Sequence, residues 1–250
     1  MKKYFSVILI LSLATTWSSC SKISEQLPLP ALTDYYPLAV GHTLVYRLDS
    51  TVTTSFGQAL VIHSYHLKDV ISDTVLDNQG RLSFRVFRFI TDTLEQTGWQ
   101  ALSTYYITPT QNTIEVMDDH NFRFIKLAEP MREGFSWKGN TYIDTRSANS
   151  PVQYMDNWDY IYQDNNKTFN SLMGPIDLSV TVLQADETSP PGPFNPLYYQ
   201  QRNYSVEVYG KGIGLVYKDF LHWTWQTTPP PASYADDSYG FRINLLRVEN

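Results

Sequence analysis

Cys20 is the only cysteine in the chain, and its thiol is the side chain best suited to covalent chemistry. It follows a basic start, Lys2 and Lys3, and then an apolar run over Phe5–Leu13. That run is shorter than the roughly 20 residues needed to cross a bilayer. This order of segments is typical of a cleaved secretory signal. The sequence therefore predicts that residues 1–19 are a signal peptide and that Cys20 begins the mature chain.

The residues directly before Cys20 indicate what happens to its thiol. Ser18 and Ser19 are small, and with Cys20 they resemble the lipobox of bacterial lipoproteins, although Trp17 stands where leucine is usual. The resemblance implies diacylation of the thiol, cleavage before Cys20 and acylation of the new amino terminus. Several acyl chains hold a protein stably in a membrane. We therefore expect a lipid-anchored protein of the cell envelope, at the outer membrane and facing either the periplasm or the surface. The lipid bilayer is therefore the predicted partner, and acylated Cys20 is the residue that attaches the protein to it.

Patterns elsewhere in the chain predict no catalytic residue, metal site or cofactor. Gly210–Gly214 has the glycines of a phosphate loop but no following Ser or Thr and no helix, so we expect a tight turn between strands. Asp118–His120 offers metal-ligating side chains, but a hydrated turn between strands is the stronger interpretation. Carboxylates such as Glu115 and Glu129 are available for glycoside hydrolysis, yet the sequence gives no distance between any two of them.

Aromatic residues make up 14% of the chain and are the remaining candidates for ligand contact. Trp158 and Tyr160 lie at even spacing in a predicted strand, whereas Tyr198 and Tyr199 follow a proline-rich segment where we expect exposure. Aromatic side chains line apolar cavities and present flat apolar faces to ligands. We therefore predict these four residues as the ligand-contacting set.

A second aromatic pair, Trp223 and Trp225, shares one face of a predicted strand. Aromatic residues also fill sheet cores and make cross-strand pairs. For this pair, as for Trp158 and Tyr160, core packing is the stronger interpretation and ligand contact is the alternative.

Charge and cysteine content limit the partners and the source of stability. The chain has 19 basic and 25 acidic residues and a formal net charge of −6, which becomes −8 when Lys2 and Lys3 are removed with the signal. This balance argues against nucleic acid or an anionic headgroup surface as a partner. With Cys20 acylated, no thiol remains for a disulfide. The domain must then be stable through its own core, for which about 230 residues are ample.

Alternation of apolar and polar residues predicts β-strands almost throughout the remaining chain. The predicted strands are His42–Thr54, Leu60–Ser72, Leu82–Thr93, Thr104–Thr108, Thr113–Met117, Phe122–Leu127, Val152–Gln163, Ile176–Gln184, Tyr204–Tyr209, Leu215–Gln226 and Phe241–Val248. Long strands joined by short turns favour an all-β fold. We predict a single antiparallel meander curled into a half-barrel or open barrel, with a β-sandwich as the alternative.

Proline-rich segments indicate the organisation around these strands. Residues 20–33 contain Pro28 and Pro30 and little periodicity, so we expect a flexible tether. Residues 34–250 then form a single β-rich domain. Within it, Ser189–Pro196 and Thr227–Ala232 are expected to be loops, because proline blocks ladder pairing.

Three blocks of sequence support a family resemblance. They are Tyr35–Gly41 (YYPLAVG), Ser136–Asn140 (SWKGN) and Glu207–Lys218 (EVYGKGIGLVYK). Together with the signal that ends at Cys20, they resemble a group of uncharacterised lipoproteins of the Bacteroidota. The resemblance implies residence in the envelope and a β-rich domain, and it implies no reaction, ligand or catalytic residue.

These observations lead to three functional hypotheses. The first is a non-enzymatic envelope lipoprotein that binds a lipid, an acyl chain or a peptide on the concave face of its sheet. The second is a surface glycan-binding module that uses exposed aromatic residues. The third is a hydrolase whose site has no recognisable sequence pattern.

Overall fold

The computed structural model describes residues 31–249 of the chain. Cys20, the predicted signal and nearly all of the predicted tether lie outside the described residues. Among the described residues the only helical elements are 3-10 turns, at Leu32–Asp34, Ser55–Gly57 and Gln153–Met155. Across residues 31–249, no helix is long and apolar enough to cross a membrane.

Strands account for most of the remaining described chain. The first half forms β1 (Thr43–Thr53), β2 (Leu60–Leu76), β3 (Leu82–Thr91), β4 (Gln100–Pro109), β5 (Thr113–Met117) and β6 (Arg123–Ala128). The second half forms β7 (Ser136–Trp137), β8 (Tyr160–Ser171), β9 (Gly174–Ser189), β10 (Gln200–Gly210), β11 (Gly214–Gln226), β12 (Ser233–Tyr234) and β13 (Tyr239–Glu249).

The strands form one antiparallel sheet that follows chain order almost throughout. Strands β1 to β6 form one meander, and β7 to β11 followed by β13 form a second. The two meanders join where β13 pairs with β1, and β12 pairs only with β11. The free edges of this order are β6 and β7, which are consecutive in the chain. The sheet therefore curls into a barrel that is nearly closed, with one unsealed seam. The predicted all-β meander is confirmed.

Contacts other than a regular ladder hold the seam together. The Ile125 backbone N–H donates to the Gly139 carbonyl at 2.7 Å, and Trp137 Nε1 donates to the Ile125 carbonyl at 2.9 Å. The buried Tyr162 hydroxyl lies 2.9 Å from both the backbone nitrogen and the carbonyl oxygen of Ala128. Because edge strands expose unpaired backbone groups, these bonds satisfy part of the β6 edge.

Aspartate side chains set three of the hairpin turns. Asp77, Asp92 and Asp118 follow β2, β3 and β5, and each carboxylate accepts backbone N–H groups a few residues further along, at 2.7–3.0 Å. Asp residues favour turns because their side chains replace backbone partners in this way. The turn expected at Asp118–His120 is therefore present.

The glycine and proline segments also lie where the sequence places them. β10 ends at Gly210 and β11 begins at Gly214, and Gly212 has the left-handed φ of 74° that such a tight turn requires. Ser189–Pro196 lies mainly between β9 and β10, and Thr227–Ala232 lies between β11 and β12. Both proline-rich segments are loops.

The predicted strand Val152–Gln163 is wrong over its first half. Residues Gln153–Met155 form a 3-10 turn, and the strand begins only at Tyr160 and continues to Ser171. Asn157 has a φ of 64°, a left-handed conformation that ends any extended run before the strand. The even spacing of aromatic residues therefore crosses a turn, and the polar second half of β8 does not show the alternation of a half-buried strand.

Buried apolar residues form two clusters inside the sheet. The larger contains Trp158, Tyr160 and Tyr162, and the smaller contains Tyr46 and Leu245. Tyr160 packs directly on Gly139, where a Cβ atom would lie 2.1 Å from the ring. Glycine at this position therefore lets β8 and the chain after β7 approach each other closely.

Candidate functional site

A cavity of about 540 Å³ lies between facing strands of the barrel. Its walls come from β6, β8, β9, β10, β11 and β13 and from the segment before β8, so it occupies the interior of the sheet. A neighbouring space of about 320 Å³ shares Phe124, Lys126, Lys218 and Phe241 with it. We call these two spaces together the interior cavity. Their size is in the range that holds a small organic molecule.

Most of the wall is aromatic and apolar. Trp158 and Tyr160 line the cavity together with Phe220, Val152 and Met155. The rings of Trp158 and Phe220 lie 6.4 Å apart with tilted planes, which is within the usual range for an aromatic pair. This part of the cavity suits an apolar group.

A charged cluster interrupts the apolar wall. Lys126 from β6 and Lys218 from β11 place their ammonium groups 2.7 Å and 3.0 Å from the same oxygen, Oε1 of Glu207 on β10. The other carboxylate oxygen of Glu207 accepts a hydrogen bond of 2.6 Å from the Tyr209 hydroxyl. We call this group the Lys126–Glu207–Lys218 cluster. It carries two positive charges and one negative charge.

The burial of the cluster changes the proton affinities of its members. Burial alone would raise the pKa of Glu207, but attraction to Lys126 and Lys218 outweighs it and holds the pKa at about 2. Burial lowers the pKa of Lys218 to about 8, aided by repulsion from Lys126 and opposed by Glu207. At neutral pH Glu207 is therefore ionised, and Lys218 is mainly protonated and readily titrated.

A second ionic group in the interior is balanced. Arg88 on β3 donates two hydrogen bonds of 2.7 Å to the two carboxylate oxygens of Asp69 on β2. The Tyr105 hydroxyl on β4 adds a third at 3.0 Å. This bidentate pair is the strong form of an arginine–carboxylate contact and leaves no net charge. The surplus positive charge of the interior therefore belongs to the Lys126–Glu207–Lys218 cluster.

Two polar groups of the cavity wall lack an acceptor among the described residues. They are Trp158 Nε1 and Gln184 Nε2. Both residues line the cavity and are 2–3% exposed. Each group is a hydrogen-bond donor, and a buried donor without a partner costs about 1–3 kcal/mol. The two unpaired polar groups of the cavity wall are thus both hydrogen-bond donors.

The structure divides the predicted ligand-contacting set. Trp158 and Tyr160 lie together in the cavity wall. Tyr198 and Tyr199 are 64% and 50% exposed on the loop before β10, away from the cavity. The four predicted residues therefore belong to two separate surfaces, the cavity wall and the loop before β10. Whether either contacts a ligand stays a prediction.

The charged members of the wall were missed by the sequence reasoning, although a signal exists. Lys218 alternates in phase with Val216 and Phe220, and Glu207 alternates in phase with Ser205 and Tyr209. A charged residue at an apolar phase of a strand is a reason to expect a buried ionic group. The pairing of Lys126 with Glu207, by contrast, joins positions 81 residues apart and has no local signal.

The mouth of the cavity is acidic. Asp118, Asp236 and Asp237 lie there with His120. Side-chain atoms of Asp118, Asp119 and His120 lie within 4.8 Å of one another, close enough to share a cation. However, Asp118 already accepts the backbone bonds of its turn, and exposed acidic turns are common without any ion. The cluster supports no metal site by itself.

The comparisons with known proteins are few. No protein-family model matches the sequence, and there is no significant match among curated proteins. One similar solved structure is a protein of Bacteroides fragilis described as exported and as having a YmcC-like fold, with 11% identity and a TM-score of 0.41. Another, from Parabacteroides distasonis, is described as a lipoprotein, with 9% identity and a TM-score of 0.32. Each alignment covers 86% of this chain and 98% of the other. Likeness at these TM-scores supports no argument about family or function.

Proposed function

We propose that this protein is a non-enzymatic envelope lipoprotein that binds a small amphipathic molecule in its interior cavity. The observation that carries the proposal is the cavity itself, about 540 Å³ between facing strands. A barrel of this kind either fills its interior with side chains or encloses a ligand. Here an aromatic wall and a charged cluster border open space, which suits a molecule with an apolar body and a polar end.

Dye binding tests the proposal directly. The mature chain, residues 20–250, is prepared with Cys20→Ala and without the predicted signal, so that neither an acyl anchor nor the apolar run over Phe5–Leu13 takes up the dye. N-phenyl-naphthylamine is a neutral dye whose fluorescence rises in apolar surroundings, and we expect it to bind the cavity in a saturable way. Val152→Trp adds bulk to the cavity wall and should abolish most of this binding.

A matched variant separates cavity filling from any general effect of adding tryptophan. Val40→Trp makes the same exchange at a residue that is 59% exposed outside the cavity, and we expect it to bind the dye as the parent chain does. Circular dichroism confirms that each variant is folded. Absence of saturable binding in the parent chain would overturn the proposal, as would equal binding by both folded variants.

The envelope anchor is a separate part of the proposal. The signal before Cys20 supports acylation of its thiol and residence at the outer membrane. In cells, the unsubstituted chain should sediment with membranes, and globomycin, which blocks lipoprotein signal cleavage, should leave a longer precursor. Labelling of cells with a radioactive fatty acid should mark the parent chain and not Cys20→Ala. Label on Cys20→Ala, or none on the parent chain, would contradict acylation at this residue.

The exposed aromatic loop favours a second candidate function, glycan binding. Tyr198 and Tyr199 are both at least half exposed, and Leu197 beside them is 75% exposed. Such rings can stack on sugars. Retardation on polysaccharide affinity gels, lost in the double variant Tyr198→Ala with Tyr199→Ala, would support this function. Equal mobility of the parent chain with and without polysaccharide would exclude binding to the polysaccharides tested.

A further inference from the structure

We infer that the interior cavity binds a monoanionic amphiphile, with its negative head group held by Lys126 and Lys218 and its apolar part against the Trp158 wall. This inference rests on the proposed function and adds the chemical class of the bound molecule. It depends on the charge balance of the cavity, on the donors that its wall leaves over and on the position of the cluster beside the aromatic wall.

The charge balance favours one negative charge. Glu207 neutralises only one of the two lysines whose ammonium groups it contacts. Asp69 and Arg88 neutralise each other. The cluster therefore carries one uncompensated positive charge beside an apolar wall. A buried charge is stable only when it is paired, and a monoanion supplies the missing partner.

Hydrogen-bonding capacity agrees with the charge. An ammonium group has three donors, and among the described residues Glu207 is the only carboxylate within 4 Å of either lysine. Both oxygens of Glu207 are already engaged, one by the lysines and one by Tyr209. The cluster thus offers free ammonium donors and no unused carboxylate oxygen of its own. A carboxylate, sulfate or phosphodiester head group accepts hydrogen bonds from these donors. An ammonium head group has no acceptor atom and is repelled by the lysines.

The surroundings of the two ammonium groups place the head group next to apolar contacts. Lys126 Nζ lies 4.8 Å from the centre of the Phe124 ring, and Lys218 Nζ lies 5.1 Å from that of Phe241. Both rings line the cavity that Trp158 also lines. A molecule that reaches the lysines must therefore pass along aromatic surface, which selects for an apolar body attached to the anion.

The acidic mouth of the cavity does not reverse this preference. Asp236 and Asp237 are exposed, and water and salt screen exposed charges over about 10 Å at ordinary ionic strength. Asp118 is half-buried, and its carboxylate already accepts two backbone N–H groups of its turn. The lysines are largely buried, with side chains 10% and 19% exposed, where screening is weaker. The mouth therefore affects how fast an anion enters more than how tightly it is held.

A comparison of head groups on one tail tests the inference. Decanoate, decanol and decylamine are titrated against the Cys20→Ala chain loaded with N-phenyl-naphthylamine at pH 7. Decanoate should displace the dye at a concentration about tenfold to a hundredfold lower than decanol does, which is the effect of one buried charge-assisted contact. Decylamine should be the weakest of the three. Decyl sulfate and decanoate should behave alike if charge alone is recognised, and decanoate should be stronger if carboxylate geometry matters.

Lys218→Met assigns the preference to the cluster. This exchange keeps an unbranched side chain, one atom shorter than that of lysine, and leaves Lys126 paired with Glu207, so the cluster becomes neutral. Decanoate should lose its advantage over decanol, while decanol still displaces the dye as it does in the parent chain. Lys211→Met removes a lysine that is 43% exposed and paired with Asp34 outside the cavity, and it should keep the advantage of decanoate.

The outcomes separate the two proposals. If the dye binds but decanoate and decanol displace it equally, or decylamine is strongest, the anion inference is wrong and the cavity proposal stands. If the dye does not bind, the cavity proposal fails, and the anion inference fails with the cavity proposal. If Lys218→Met does not fold, the head-group comparison on the parent chain still decides, because it needs no variant. Retention of the decanoate advantage by folded Lys218→Met would overturn the role of the cluster.

Discussion

The two faces of the sheet use the same kinds of side chain for different purposes. Inside the barrel, Trp158 and Tyr160 border open space. On the opposite face of β11, Trp223 and Trp225 pack with Phe194 and Tyr234, a group that we call the outer aromatic cluster. Both groups are rich in aromatic residues, and the inner group lines the interior cavity.

The polar atoms of the two groups differ most. In the outer aromatic cluster, Trp225 Nε1 donates to the Pro196 carbonyl at 3.0 Å. In the inner group, Trp158 Nε1 has no acceptor among the described residues, and charged side chains lie in the same wall. The indole N–H of Trp225 is therefore satisfied within the protein, which suits packing, because nothing at this atom is left for a ligand to add. We infer that the inner group is arranged for binding, and substitutions that compare the faces test this distinction.

The largest difference is expected for ion pairs. Glu207→Gln removes the only negative partner that two largely buried lysines have among the described residues. Loss of one member of a buried pair typically lowers the free energy of unfolding by about 3–5 kcal/mol. On the outside, Lys138 and Asp159 form a 3.0 Å pair whose side chains are more than half exposed. Asp159→Asn should change stability by about 0–1 kcal/mol. Urea unfolding of both variants measures the two effects, and equal losses would contradict the distinction between the faces.

The loss of stability caused by Glu207→Gln should become smaller at acid pH. The pKa of Glu207 is about 2 in the folded chain against an ordinary value of 4.5, so its ionised form stabilises the fold. That contribution is complete above about pH 4.5 and is lost as the pH falls towards 2, because the unfolded chain takes up the proton first. The stability difference between the parent chain and Glu207→Gln should therefore shrink across this range in unfolding curves. A difference that stays constant from pH 5 to pH 2 would show that Glu207 has an ordinary pKa.

The fold followed from the sequence because alternation is a local signal. The predicted bounds of the strand Thr113–Met117 are the same as those of β5 in the structure. Such predictions succeed because apolar and polar residues alternate wherever one face of a strand is buried. Alternation also indicated correctly that Trp223 and Trp225 share a face. It does not tell which face is inside, because that depends on the distant residues that cover it. Here Phe194, from a loop rich in proline, and Tyr234, on β12, cover the outer face.

The candidate site was predicted only in part, for a related reason. Trp158 and Tyr160 were recognised by residue type, and both line the cavity. The Lys126–Glu207–Lys218 cluster needed the curvature of the whole sheet, which brings β6 across the interior to β10. Curvature is the sum of twists and register shifts over many strands, such as the shift between Ser205 and Val206. No short stretch of sequence contains that sum.

The smallest predicted difference compares one tryptophan from each face. Trp225→Phe and Trp158→Phe remove similar volume from buried positions, so the loss of packing is similar in both. Trp225→Phe also leaves the Pro196 carbonyl without its donor, whereas Trp158→Phe removes a donor that has no acceptor among the described residues. Trp225→Phe should therefore lower the free energy of unfolding by about 0.5–1.5 kcal/mol more than Trp158→Phe does. Urea unfolding without added amphiphile measures this gap. Should Trp158→Phe prove the more destabilising of the two, its indole N–H must already be satisfied, and the inner wall would be arranged for packing like the outer aromatic cluster.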